Sequence, residues 1–428
     1  MKKQKHVNRW FWKWHIIAGL ITIPFILLLS VTGIIYLFKE QYNNVMYDSY
    51  RFVATPENPE LHIMDYNKQL LAAYTVADHH IAQVILPEDP TQAIAFRMHG
   101  KKGDHTRNLI YVNPYTAEVT GQVSQRDTLM YKIRKLHGEL LLNTYGTYVV
   151  ELVASWFLVL IVTGLYVWWP SKRFKDAGLA GFFTVRIKSG KHTLYRDLHA
   201  VGGFWLSIVM VVMLSGGMPW TEFFGDQLKW VQNQTDAGYP KNWGRSDGLA
   251  SFPFGEAMDL NHMIATAKAQ QLKGTITLKL PVQKDDVLYV SNRSFLLRDQ
   301  RVIHIDQYSG DIVKQLQWNE VGILMELRQL AMRFHQGEYG FVNKLFVLLT
   351  VLIFAVTTAV GLLSYLIRKP KGRWGLPKVP SDFSVGYGMI AIIVVAGIIF
   401  PLFGASVALI MVINSMLALL HRRSAGIV

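Results

Sequence analysis

At 428 residues, with 51% apolar and 12% aromatic side chains, the chain is too hydrophobic for an ordinary soluble domain. Its formal net charge of +14 is gathered beside apolar runs, so membrane topology explains it better than nucleic-acid binding does. The absence of cysteine excludes haem attached through CxxCH, cysteine-held iron–sulfur clusters, disulfides and thiol catalysis.

Taken in chain order, residues 1–38 hold a basic N-terminus and a first transmembrane helix, with an apolar run over 15–38. The start resembles a signal sequence, but no small-x-small cleavage pattern precedes Tyr36–Glu40, and a retained anchor is expected. Residues 39–136 form an extracytoplasmic insertion, and 137–220 hold two further membrane helices joined by a basic connection. A second insertion spans 221–335, and a fourth membrane helix lies within 336–370. The remaining 371–428 combine a basic connection with an apolar stretch over 385–420, broken near its middle by Pro401–Gly404. That stretch reads as a hairpin of two helices, giving six spans, with one long or partly re-entrant element as the alternative.

The charges fix an expected orientation. The N-terminus, the 170–198 and 368–378 connections and the C-terminal tail hold 19 of the 44 Lys and Arg. The two long insertions are balanced, at 11 basic against 11 acidic and 13 against 13. The positive-inside rule therefore places both termini in the cytoplasm and both insertions outside. Within the insertions, LIYVNPYTAEVTGQV (109–123) aligns with VIHIDQYSGDIVKQL (302–316). Alternating apolar residues around an Asn/Asp-x-Tyr-Ser/Thr turn predict a β-hairpin in each.

Four histidines occupy matching places in the two halves. His15 and His199 open hydrophobic helices and are followed four residues later by Gly19 and Gly203. His137 (KLHGEL) and His335 (RFHQGEYG) each precede a membrane helix. Residues four apart share a helix face, so each glycine leaves a gap beside its histidine where a flat macrocycle fits. Gly33 and Gly217, each 18 residues beyond the histidine, return to that same face. Topology pairs His15 with His199 at the inner edge and His137 with His335 at the outer edge. Two non-covalent b-type haems, each with two histidine ligands, are the cofactors that best fit.

Neighbouring cations, Arg134, Lys135, Arg196 and Arg333, are candidates to meet haem propionates, or are membrane-boundary residues. Glu139 and Glu338 are candidates to orient an imidazole or admit a proton, or are solvated interface residues. Glu151, near the outer end of a span, is simplest to read as snorkelling to the interface. The tryptophans at 10, 12, 14, 168 and 169 read as an interfacial aromatic belt. His79 and His80 read as solvated loop, and His62, His99, His105, His262 and His304 share no repeat spacing.

These motifs (WHIIAG, YRDLHAVGG, KLHGE, FHQGE, the paired hairpins and FPLFGAS) resemble the PepSY-associated transmembrane family, over nearly the whole chain. That family includes iron-regulated inner-membrane proteins and ferric-siderophore reductases. The resemblance implies a mainly α-helical membrane protein in the bacterial inner membrane: a duplicated bundle of four core helices plus a C-terminal hairpin, with two extracytoplasmic α+β PepSY-like insertions. It further implies a haem-bearing electron carrier acting on a ferric chelate or siderophore for iron uptake. The electron donor stays open, since no G-x-G-x-x-G unit is present for a nicotinamide. The rival expectations are a non-redox PepSY protein binding a peptide or protease, a transporter of iron complexes, and a metal site without haem.

Overall fold

The computed structural model describes residues 2–98, 108–169, 181–380, 383 and 385–424. His99, His105 and much of the first basic connection lie outside these residues. In chain order come α1 (Lys2–Leu37), α2 (Lys39–Met46), α3 (Tyr66–Tyr74) and strands β1 (Ile81–Leu86), β2 (Ile94–Met98), β3 (Asn108–Val112) and β4 (Val119–Ser124). Helices α4 (Leu129–Glu139), α5 (Asn143–Trp168), α6 (Lys191–Gly217), α7 (Phe223–Gln234) and α8 (Leu260–Ala269) follow. Then come β5 (Thr275–Lys279), β6 (Val287–Arg293), β7 (Arg301–Asp306) and β8 (Ile312–Gln317). Helices α9 (Ile323–His335), α10 (Gly340–Arg368), α11 (Tyr387–Ile399) and α12 (Pro401–Ser424) complete the described chain.

Among the described residues, five helices are long and apolar enough to cross a membrane: α1, α5, α6, α10 and α12. The break in the last apolar stretch falls at Phe400, directly before Pro401, whose ring cannot continue a helix from the preceding turn. Two helices result, and Gly397 and Gly404 let their backbones approach closely. However, α11 has 13 residues, about 20 Å of helix, short of a bilayer core of about 30 Å. The sixth expected span is thus a shorter apolar helix.

Helix α1 packs against α5 and α10, and α6 packs against the same two, so the four helices close a ring. Their shared interior includes Leu37, Met210, Met213 and Val347, with Phe157 and Phe354 meeting at 5.0 Å between ring centroids. Polar residues inside these helices are satisfied locally. Thr22, Ser30 and Thr32 each donate a hydroxyl hydrogen to the carbonyl four residues earlier, at 2.8–2.9 Å.

Residues 38–132 and 231–326 form a second compact unit. Two four-stranded antiparallel meanders join edge to edge through β1 and β5, giving the order β4-β3-β2-β1-β5-β6-β7-β8. The two expected hairpins are β3–β4 and β7–β8, and each carries a register irregularity just before its turn. Helices α3 and α8 cover one face, burying Ala73, Met263, Ile264 and Ala267 against Val84, Phe96, Ile110, Leu278, Leu288 and Ile303. Both insertions therefore share one sheet and one hydrophobic core.

Candidate functional site

The ring of membrane helices brings the four histidines together as two pairs. His15 on α1 and His199 on α6 have ring centroids 6.3 Å apart, with an angle of 65° between the rings. His137 near the end of α4 and His335 at the end of α9 have centroids 6.1 Å apart, at 61°. Two imidazoles on opposite sides of one metal sit at metal–nitrogen distances of about 2.0–2.1 Å, which with the ring radii gives roughly 6 Å between centroids. Both pairs match that spacing.

Each imidazole is held through Nδ1. That of His15 lies 3.0 Å from the Thr163 hydroxyl on α5, and that of His137 lies 3.0 Å from the Thr32 hydroxyl on α1. His199 donates from Nδ1 to the Thr357 carbonyl on α10 at 3.0 Å, and His335 to the Met213 carbonyl on α6 at 2.9 Å. With Nδ1 engaged in all four rings, Nε2 is the nitrogen available to a ligand. Among the described residues no group of three or more His, Asp or Glu is placed to hold a bare metal ion. Two ligands on each site suit a cofactor that brings its own equatorial donors.

Glycines make room for the rings, and of the four expected, Gly33 and Gly217 do so for the other pair. A Cβ at Gly164 would lie 3.1 Å from Cε1 of His15, and one at Gly361 only 2.5 Å from Nδ1 of His199. A Cβ at Gly33 would lie 3.2 Å from Cε1 of His137, while Gly216 and Gly217 flank His335. Gly33 and Gly217 therefore serve the second pair, toward the far ends of α1 and α6, which begin at Lys2 and Lys191 rather than opening at His15 and His199 as expected. Eighteen residues of helix separate them, about 27 Å along the axis. Gly19 and Gly203 have no other side chain or distant backbone atom within 4 Å of where a Cβ would be. They leave open space one turn beyond His15 and His199, and Gly203 is exposed.

The cations divide. The Arg196 guanidinium donates twice to Asp197, at 2.7 and 3.0 Å, and Arg186 grips the other side of this buried carboxylate at 2.6 and 2.9 Å. Arg196, three residues before His199, thus braces the early turns of α6 through Asp197. Lys135 pairs with Glu139 one turn away, so the two answer each other. Arg134 is exposed on α4 and Arg333 is buried on α9. Glu151 is not snorkelling. It is fully buried, and its two oxygens accept the backbone N–H groups of Phe223 and Phe224 at 3.0 Å each, satisfying the first turn of α7.

The turns before α5 and α10 are made by positive-φ residues. Leu140, Leu141 and Asn143 form the first, Gly337 and Gly340 the second. The first turn therefore starts three residues before Asn143, and Gly146 is already helical, pressed against the Glu139 carbonyl. His304, left aside as a site, is a satisfied core residue between Ser246 and the Asn242 carbonyl. Sequence reasoning missed Thr32, Thr163, Gly164 and Gly361. Its available signal was the tripeptide Val-Thr-Gly, present at both 31–33 and 162–164.

No curated protein matches the chain. The family model described as the PepSY-associated TM region matches residues 12–368, and the chain belongs to that family.

Proposed function

We propose that this membrane protein binds two b-type haems and carries electrons across the bilayer to an extracytoplasmic ferric chelate, acting as a ferric-siderophore reductase. The single observation that carries this reading is the recurrence of an imidazole pair at about the spacing of two axial ligands, 6.3 Å and 6.1 Å. A haem with two imidazole ligands accepts and passes single electrons while leaving no open position for oxygen or substrate.

The residues of the chain supply the rest. His15 and His199 hold one site in the N-terminal halves of α1 and α6, and His137 and His335 hold the other near the C-terminal ends of the same two helices. The basic N-terminus and the 170–198 connection, at the His15–His199 end of the sequence pattern, favour a cytoplasmic location for that pair. Electrons supplied there would leave from the His137–His335 end, where the ferric ion of a chelate takes one electron and becomes ferrous. Ligands chosen for ferric iron hold the ferrous ion less well, and the metal is released. The Nδ1 hydrogen bonds keep each ring in one orientation.

Purified protein from cells supplied with haem should show the spectrum of two non-covalent low-spin haems per chain. Folded protein that retains no haem under those conditions would reject the proposal, in favour of a binding or transport role.

A further inference from the structure

The two ligands within each pair are not supported alike, and the difference follows the halves of the chain. His15 and His137, from the first half, meet threonine hydroxyls, with the Leu29 carbonyl a further acceptor for His137; His199 and His335, from the second, rest on main-chain carbonyls alone. Counting along the chain shows how. Thr32 stands 17 residues after His15, and Gly216 stands 17 after His199. Thr163 stands 26 residues after His137, and Gly361 stands 26 after His335. Glycine thus occupies, in the second half, each place that threonine holds in the first. Without a side chain there, the imidazole lies against the helix itself. The Cβ that Gly216 lacks would sit 2.7 Å from Cβ of His335, and that of Gly361 2.5 Å from Nδ1 of His199. Each ring then reaches a carbonyl one turn earlier, that of Met213 or Thr357.

The Thr163 hydroxyl donates to the Val159 carbonyl at 2.8 Å, and the Thr32 hydroxyl to the Leu28 carbonyl at 2.8 Å. A hydroxyl has one hydrogen, and in both residues the helix carbonyl takes it. With its hydrogen on the helix carbonyl, the oxygen accepts from the imidazole, which suits a neutral ring that ligates through Nε2 and carries its proton on Nδ1. The glycine that follows each threonine, Gly33 or Gly164, leaves space for Cε1 of the ring. Val-Thr-Gly is a seat for a histidine from another helix: an acceptor for one ring edge and a missing side chain for the next atom.

We propose that Thr32 and Thr163 are positioning residues that fix His137 and His15 in the Nδ1–H tautomer and tune the reduction potential of their own site. This rests on the haem reading above. A neutral hydroxyl that accepts from Nδ1–H raises the basicity of Nε2 and so favours the oxidised metal. Removing it should move that site's potential upward and leave the other site's unchanged.

The test is a spectroelectrochemical titration of detergent-purified holoprotein. Thr163→Val should raise the potential of the haem at His15–His199 alone, or cause its selective loss. Thr32→Val should do the same at His137–His335 alone. Thr163→Ser and Thr32→Ser, which retain a hydroxyl, should keep both wild-type potentials. Thr163→Ala and Thr32→Ala remove the hydroxyl without the bulk of valine and should reproduce the valine shifts. Potentials unchanged in the Val and Ala variants, equal shifts at both sites, or a Ser variant displaced as far as its Val counterpart would overturn the proposal. If the valine variants do not fold, the serine and alanine pair decides between these outcomes. Wild-type protein without haem would instead sink the underlying functional reading, so the two failures are told apart.

Discussion

A single methyl group, added at either of two glycines, separates what the polypeptide needs from what a cofactor needs. At Gly361 the new Cβ would sit 2.5 Å from Nδ1 of His199 and 2.8 Å from Cε1, so the ring must move. Overpacking of this kind costs about 1–3 kcal/mol. Gly361→Ala should lower both thermal stability and haem content. At Gly203 no such atom lies within 4 Å. Alanine there gains helix propensity of up to about 1 kcal/mol, so the apoprotein should be at least as stable as wild type. If a macrocycle fills the space beside His199, Gly203→Ala should still reduce haem bound at the His15–His199 site. Haem counts and melting curves on both variants check this. Full haem occupancy in Gly203→Ala would show that the gap beside His199 receives nothing. The histidines themselves were legible because duplication marked them out. The glycines and threonines that seat them were not, because they sit on other helices, and sequence spacing within one helix carries no information about a neighbour's face.

At the scale of elements, strands and hairpins were legible from alternation, whereas the joining of two meanders through β1 and β5 was not. That union depends on a contact between segments almost two hundred residues apart, which no local pattern encodes. One repeated signal did mark it: Asp-Tyr-Asn at 65–67 and Asp-Leu-Asn at 259–261. Asp65 caps α3 and Asp259 caps α8. Each helix start also clasps the other. Asn261 donates to Asp65 at 2.8 Å and accepts from the Tyr66 N–H at 2.8 Å. Asn67 donates to Asp259 at 2.8 Å and accepts from the Leu260 N–H at 3.1 Å. The His262 N–H, the Asn67 amide and the His262 ring lower the Asp259 carboxyl from an ordinary 3.8 to about 2. The Asn261 amide is the first cause holding Asp65 down as well. A depressed folded-state pKa contributes stability that is present above the unfolded value and is lost as pH falls through the folded one. The clasp should therefore weaken between about pH 4 and about pH 2. Asp259→Asn keeps a competent cap and removes the titration. Its melting temperature should fall less steeply over that window than that of wild type. Identical slopes would mean that the clasp contributes nothing to the pH response.

For the whole molecule, α1 and α6 link the two sites: each carries a histidine of the first pair and the seat for a histidine of the second, which come from α4 and α9. His15 and the seat for His137 lie on one helix; His199 and the seat for His335 lie on another. Loss of one histidine should therefore empty its own site and leave the opposite seat standing. His15→Ala and His199→Ala should each remove the same haem, and the double variant should lose little more than either single one. His137→Ala and His335→Ala should behave likewise at the other site. Direction gives these variants a further distinction. With electrons entering at the basic face, His15→Ala or His199→Ala should keep a haem that a small artificial reductant can reduce, yet lose reduction from the cytoplasmic side. His137→Ala or His335→Ala should leave the first site reducible and abolish reduction of an external ferric chelate. Reporter fusions should meanwhile place 39–136 and 221–335 opposite both termini. Because α11 is too short for an ordinary crossing, the C-terminal fusion also decides whether the α11–α12 pair enters and leaves from one side. Were all four alanine variants to retain two haems and full chelate reduction, the histidine pairs would be packing contacts between helices and the electron route would lie elsewhere.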